Sequence, residues 1–427
     1  MLEDVMNKIK HSIIEKNIYY LLIITPLIDL INGFFYYIVP MNLSVSPGQT
    51  IRMTIFVIIF YFYIKQRKGN IILAIILFSL FLIQEYLYSC IDFINFKDDV
   101  LFVSKLYFNL FLMLLLKQYY YKKDIDENKI INGIIIGAII IGLTIIVTKF
   151  LNIGVSSYGD TGYKGIFIGL NDITAVLVMA TPFVLYKLIY SYKKIKYGIC
   201  FLIILGAAVL LGTKTAIIGI ILLTFYYTFF GIRGKNKYKK YIFTLLFMMI
   251  IVYVFYVYFF DVYKLTILRR HEYFYSNLDF ISYLLSGRNQ LLNIGYEYWK
   301  NKWYHMTLGV GFTRGSTWIS SFILGHGMIE MDILDILYFY GFIVLGIYIY
   351  NLLPVFLKSI LKSVTEKSML KKSFFISFLI GSVVSFLGGH VLLSPLAGVY
   401  FCIVFAYSNN YIKSATKSTI HKTNRNI

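Results

Sequence analysis

Three side chains in this sequence could between them manage a departing anion and a proton. His326 stands in LGHGMIEMDILDIL, between Gly325 and Gly327. Small neighbours leave both ring nitrogens accessible, and imidazoles exchange protons near neutral pH, so this histidine suits a general base. Arg288 stands in SGRNQLL, where Ser286 and Gly287 could open a helix. A guanidinium at a helix start makes a seat for an oxyanion or a phosphate. Lys214 stands in LLGTKTAIIG, between two apolar runs. An ammonium at membrane depth costs about 2.5–3.5 kcal/mol on insertion scales. It is therefore either a loop lysine snorkelling to the interface or a cation at the outer mouth of a cavity, waiting for an anion.

Other polar residues sit where apolar ones would be cheaper. Asp332 and Asp335 follow His326 at i, i+3 spacing and share one face of the next helix, at its outer end. Asp29 and Asn32, with Asn171 and Asp172 in GLNDITAVL, must face the bundle interior, most simply as helix–helix hydrogen bonds. Arg269-Arg270-His271 could meet lipid head groups or help seat a phosphate. Trp299, Trp303 and Tyr304 fall at i, i+4 and i+5, a spacing that could anchor an amphipathic helix at the interface.

The elements that position these residues follow from composition. The chain has 427 residues, 59% hydrophobic and only 15% charged, with mean hydropathy +0.71. Soluble domains carry about 25% charged residues. A membrane helix needs about 20 apolar residues to cross about 30 Å of hydrocarbon. Twelve such runs fall at 18–40, 50–64, 70–88, 101–116, 130–148, 166–186, 197–212, 215–231, 241–260, 333–357, 374–391 and 394–411. The long run 198–231 is broken at Gly212-Thr213-Lys214-Thr215, and 374–411 at Gly388-Gly389-His390. The fold class is all-α: a polytopic helical membrane protein of about twelve spans. The N-terminal MLEDVMNKIKHSIIEK is polar and mixed, unlike a cleaved signal.

Net charge of +20 belongs beside membrane helices and anionic lipid rather than with nucleic acid. Cys90, Cys200 and Cys402 form no CxxC pair, which argues against a disulfide framework or zinc. No two of the six histidines show i, i+4 ligand spacing, so neither a metal nor another cofactor is expected.

With the N-terminus inside and alternate sides thereafter, 28 of the 41 Lys and Arg fall inside and 13 outside, seven of these in 261–332. That obeys the positive-inside bias and puts both termini in the cytoplasm. The chain then divides into spans one to nine (1–260), an extracytoplasmic loop (261–332), and spans ten to twelve with a cytoplasmic tail (333–427). An aromatic, glycine-punctuated loop of about 70 residues is far longer than a connector and reads as folded and functional.

Four segments in order carry a resemblance: KGIFIGLNDITAVLVMATPF (164–183), LLGTKTAIIG (210–219), SGRNQLL with LGVGF (286–292, 308–312), and GHGMIEMDILDILYFYGFIVLG (325–346). Over about 164–346 the chain resembles the O-antigen polymerase and ligase family, bacterial membrane glycosyltransferases that use polyprenyl-diphosphate-linked oligosaccharides. Gly165, Gly169 and Asn171 match its glycine-rich entry to a span. Ser286, Gly287 and Arg288 match its Ser-Gly-Arg element, and Gly309 and Gly311 its later Gly-x-Gly. The family's Ser-Arg element falls on Thr213-Lys214-Thr215, where lysine keeps the charge but loses the bidentate fork. Its histidine falls on His326, with Gly327 in place of the usual Asn or Ser.

The resemblance implies a plasma-membrane polymerase of a surface polysaccharide: capsule, exopolysaccharide or O-antigen. His326 would be the base, and Arg288 and Lys214 would neutralise the diphosphate, in a metal-independent, inverting displacement. Asn171, Ser286, Gly287, Arg269, Arg270 and Trp303 would bind substrate. Partners would be the lipid-linked oligosaccharide, membrane lipid, a chain-length regulator and a flippase. A ligase handing glycan to another anchor is the alternative within the family. A lipid-linked oligosaccharide flippase is the alternative outside it, although no internal repeat between the two halves supports that.

Overall fold

In the computed structural model, residues 2–39, 46–89, 95–120, 126–158, 161–231, 282, 285–323 and 325–423 are described. They are almost wholly helical, and ten of the helices are long and apolar enough to cross a membrane. The chain is an all-α, multi-pass membrane protein. Ten of the twelve expected spans fall on those ten helices. The run at 241–260 lies outside the described residues, as do Arg269 and Arg270. The last run forms a helix, Pro395–Thr423, that is not among the ten; Ser408, Asn409 and Asn410 interrupt its apolar stretch.

The chain divides into two compact units, each assembled from separated segments. The first takes residues 1–48, 124–277 and 365–377. Its helices are α1 (Leu2–Tyr37), α5 (Glu127–Leu151), α6 (Leu170–Tyr190), α7 (Lys194–Leu211) and α8 (Lys214–Gly231). Helix α5 starts where the Asp126 carboxylate accepts from Asn128 N and Lys129 N, and stops at Asn152 in the left-handed region. Gly142 lets α5 lie directly on α7: a Cβ there would sit 2.8 Å from Ile203 Cγ2. The break expected at 212–215 is real. Gly212, with φ +67°, ends α7, and Thr213 Oγ1 accepts from Ala216 N at 3.3 Å to start α8 at Lys214. A short antiparallel hairpin, β1 (Val155–Tyr158) with β2 (Thr161–Gly165), precedes α6 and was not expected. Asn32 of α1 is buried, its side chain against Gly48, as the interior-facing reading requires.

The second unit takes residues 49–123, 278–364 and 378–427. It holds α2 (Pro47–Gln66), α3 (Lys68–Ser89) and α4 (Phe96–Tyr120). Next come three short helices: α9 (Arg288–Trp299), α10 (Trp303–Leu308) and α11 (Phe312–Phe322). Most of α12 (Asp332–Thr365), the second half of α13 (Met369–Gly388) and α14 (Pro395–Thr423) complete it. Helix α4 is its centre. Asn109 Nδ2 donates to Leu392 O and Ser394 O at 2.7 and 2.9 Å, and Tyr348 OH to Leu106 O at 2.8 Å. In lipid such side-chain bonds satisfy carbonyls that water would otherwise serve. Cys200 in the first unit and Cys402 in this one are buried free thiols.

Helix α12 is interrupted at Gly341, with φ +72°; a Cβ there would lie 2.2 Å from Thr307 O, so only glycine fits. The carbonyls released by the break are taken up at once. Val310 N and Gly311 N donate to Tyr338 O and Phe339 O at 2.8 and 3.1 Å. Gln84 Nε2 bonds Leu308 O and Phe339 O at 2.6 and 2.7 Å. The Gly-x-Gly at 309–311 is thus a backbone strip laid into a helix break, and it fixes α9–α11 to α12.

Candidate functional site

The α12–α13 end of the second unit gathers four of the expected residues, Ser286, Gly287, Arg288 and His326. Ser286 and Gly287, at φ +55° and +82°, turn the chain into α9, with Gly287 N donating to Ser282 O at 2.8 Å. That turn aims Arg288, the first residue of α9, under the segment 387–388. Its Nη1 donates to Leu387 O at 3.2 Å, and its Nη2 to Gly388 O and to Glu330 Oε2, each at 3.3 Å. Arg288 Nε is buried and has no hydrogen-bond partner. The other oxygen of the same carboxylate, Glu330 Oε1, lies 3.2 Å from His326 Nδ1. An ionised carboxylate can only accept, so against one Nδ1 is the donor, and in the neutral imidazole the lone pair then lies on Nε2. One side chain thus bonds both the imidazole and the guanidinium. Arg288 has a side chain 14% exposed, Glu330 28% and His326 43%, so the cation is the most enclosed of the three.

Asp332 and Asp335 do share a face, but they point into protein and build the loops. Asp332 is fully buried and accepts from Ser385 Oγ (2.7 Å), His390 N (2.7 Å), Val391 N (2.8 Å) and Leu392 N (2.7 Å). Asp335 accepts from Ile329 N and Met331 N at 2.8 and 3.0 Å. Together they pin 329–331, which carries Glu330, and 390–392, which follows the Leu387 and Gly388 carbonyls that hold Arg288. Gly389 allows the two loops to touch, since a Cβ there would sit 2.5 Å from Glu330 O. Replacing Asp332 by Ala strands four donors, each costing about 1–3 kcal/mol when buried unsatisfied. The expected loss is at least about 3 kcal/mol, read as a large fall in thermal unfolding temperature in detergent. Asp332→Asn, which keeps an acceptor oxygen, is expected to fall much less; equal falls would contradict this role.

Glu330 was not singled out from sequence. The available signal was an acidic residue four positions after His326 in GHGMIE, a spacing that only a folded loop turns into contact. Another residue missed is His305, 2% exposed, with Nδ1 3.2 Å from Tyr298 O. Its burial pushes its pKa below the usual histidine range, and so keeps it neutral. Around it, Trp318 stacks on Tyr298 with ring centroids 4.7 Å apart, and Arg314 lies over Tyr88 at 4.5 Å.

The expectation of one amphipathic helix carrying Trp299, Trp303 and Tyr304 is corrected. Helix α9 ends at Trp299 and α10 begins at Trp303, so the two rings do not line one helix. Trp299 packs edge-on against Phe342 at 5.6 Å, whereas Trp303 is 76% exposed.

Lys214 and Asn171 belong to the first unit. Lys214 is the first residue of α8, half-buried. Asn171 is in the first turn of α6, and Thr174, one turn on, meets Thr213 hydroxyl to hydroxyl at 3.3 Å. The first turns of α6 and α8 therefore adjoin within that unit. Among the described residues no group of His, Cys, Asp and Glu is arranged to hold a metal.

A family model described as O-antigen ligase like membrane protein matches residues 11–265, more than half of the 427-residue chain. Lys214 and Asn171 fall within the match, and Arg288 and His326 beyond it. No curated protein matches the chain.

Proposed function

Since the chain belongs to the O-antigen ligase-like membrane proteins, we propose that it is a membrane glycosyltransferase of polysaccharide assembly. Within that class we infer a polymerase that moves a growing glycan from its polyprenyl diphosphate to a hydroxyl of the next lipid-linked repeat. The observation that carries the reading is the Glu330 carboxylate, which holds His326 Nδ1 on one oxygen and Arg288 Nη2 on the other.

The chemistry is a displacement at C1 of the donor's reducing-end sugar. The acceptor hydroxyl oxygen bonds to C1, and its proton passes to His326 Nε2. The bond from C1 to the diphosphate oxygen breaks, and the electron pair leaves with the diphosphate. Attack opposite the leaving group inverts the anomeric centre. Fixed cations near that leaving charge supply the largest catalytic contribution in sites of this kind. Arg288 is one such cation, and a diphosphate, carrying more charge than one carboxylate, competes with Glu330 for its Nη2 edge. Lys214 is proposed as a further phosphate-binding cation, and Asn171, Arg269, Arg270 and Trp303 as substrate contacts. In this reading 261–332 faces the outside of the plasma membrane and both termini the cytoplasm.

Glu330→Gln keeps the shape but removes the charge that orients the imidazole. A charge-assisted hydrogen bond is worth about 1.5–3 kcal/mol, so transfer is expected to fall roughly 10–100-fold without loss of protein from the membrane. A Gln variant as fast as wild type would remove Glu330 from the mechanism.

Polymer length in a strain lacking the chain tests the class. Single repeats on the outer surface support a polymerase. Repeats held on the inner leaflet would point to a flippase instead, and full-length glycan left unattached would point to a ligase.

A further inference from the structure

We propose that the second unit holds a second lipid-phosphate seat, which takes the polyprenyl diphosphate of the acceptor; this rests on the polymerase reading above. The seat is an open cleft between α2, α4 and the start of α14. Two cations line it, Arg52 and Lys105, among the apolar side chains of Met53, Phe56 and Phe108, with Pro395 closing one side.

Both cations lie within membrane-spanning helices, Arg52 in Pro47–Gln66 and Lys105 in Phe96–Tyr119. Charged side chains in such segments face a cavity or a polar partner and mark ligand paths. A guanidinium and an ammonium in one cleft suit a phosphate: the first binds it as a planar fork, the second as a point charge. The aromatic and thioether walls suit a hydrocarbon chain. Farther along α2, Val57, Ile58, Tyr61 and Phe62 are exposed apolar side chains that a prenyl tail could follow.

The position of the cleft explains why the acceptor, rather than the donor, would use it. The acceptor attacks through a hydroxyl at the end of its repeat remote from its own diphosphate. Its phosphate seat must therefore be displaced from the base while staying tied to it. One loop provides that tie. Leu387 and Gly388 hold Arg288 through their carbonyls, and His390, Val391 and Leu392 hold Asp332 through their amides. Leu392 and Ser394 then accept from Asn109, one helical turn beyond Lys105 on α4, and Pro395 enters the cleft. Pro395 lies eight positions after Leu387, a span of at most about 28 Å even when fully extended. A ligase whose acceptor carried no lipid diphosphate would have no use for such a seat.

Native mass spectrometry of the full chain in detergent, with a long-chain polyprenyl diphosphate as the probe, reads the number of seats. Wild type is expected to bind two copies and the double variant Arg52→Gln/Lys105→Gln one. Met53→Trp, which fills the cleft and keeps both charges, is also expected to bind one, so loss of the second copy does not depend on the charge variant alone. Two copies on both variants would overturn the second seat. So would displacement of the second copy by equimolar phosphatidylglycerol, which would assign the cleft to bulk phospholipid. A single copy on wild type would remove the seat and leave the transferase reading standing. No copy on wild type would overturn both.

Discussion

Replacing His326 by Ala is expected to cut glycan transfer by about 10²–10⁴-fold, the usual worth of a positioned general base. The variant should remain in the membrane at wild-type levels, because His326 carries little of the fold. Its side chain is 43% exposed, and its ring bonds Glu330. The chain around it is held by other groups: Ile329 and Met331 by Asp335, and the facing loop by Asp332. The readout is polymer length in a complemented deletion strain, together with the amount of protein in the membrane fraction. Unchanged length would remove His326 from catalysis. Loss of the protein itself would mean a structural role instead.

Arg288→Lys is expected to cost about 10²–10³-fold in transfer, while Lys214→Arg is expected to be nearly silent. The contrast follows from geometry. The Arg288 fork spans Leu387 O, Gly388 O and Glu330 with two nitrogens of one rigid plane. A single ammonium cannot reach all three and still face a phosphate. At 214 the chain already uses a point charge, so a guanidinium there keeps the charge and adds donors. Near-silent outcomes at both positions would argue against diphosphate neutralisation by these cations. Because the proposal gives that task to side chains rather than to a divalent ion, chelators are expected to leave the rate unchanged.

Much of the architecture was legible because hydrocarbon imposes it. Among the described residues the apolar runs of span length became helices, and even the breaks at Gly212 and Gly389 could be found, since glycine and polar residues interrupted otherwise continuous grease. The hairpin at 155–165 was not legible: two strands of four and five residues are too short for a periodic signal, and their pairing is tertiary. The interruption of α12 at Gly341 was hidden for a related reason. Its cause is the strip 309–311, some thirty positions upstream, and nothing local to YFYGFIV announces it.

The candidate site shows the same division. Residue type and setting drew attention to Arg288 and His326. Glu330, which joins them, becomes visible only when the loop 325–331 is folded, and the carbonyls of Leu387 and Gly388 have no sequence signature at all. The Asp332–Asp335 pair was read correctly as one face, but its direction depended on which amides lay opposite. The reading of the aromatic residues as one amphipathic helix failed because Lys300 and Lys302 separate two helices where the spacing alone suggested one.

The most direct measurement uses the purified chain in lipid vesicles with a synthetic polyprenyl-diphosphate-linked repeat unit and no other protein. The account predicts longer glycans, one free polyprenyl diphosphate for each bond formed, and anomeric inversion at every new linkage. Intact repeat units carried across the bilayer without elongation, or elongation with the anomeric configuration retained, would contradict it.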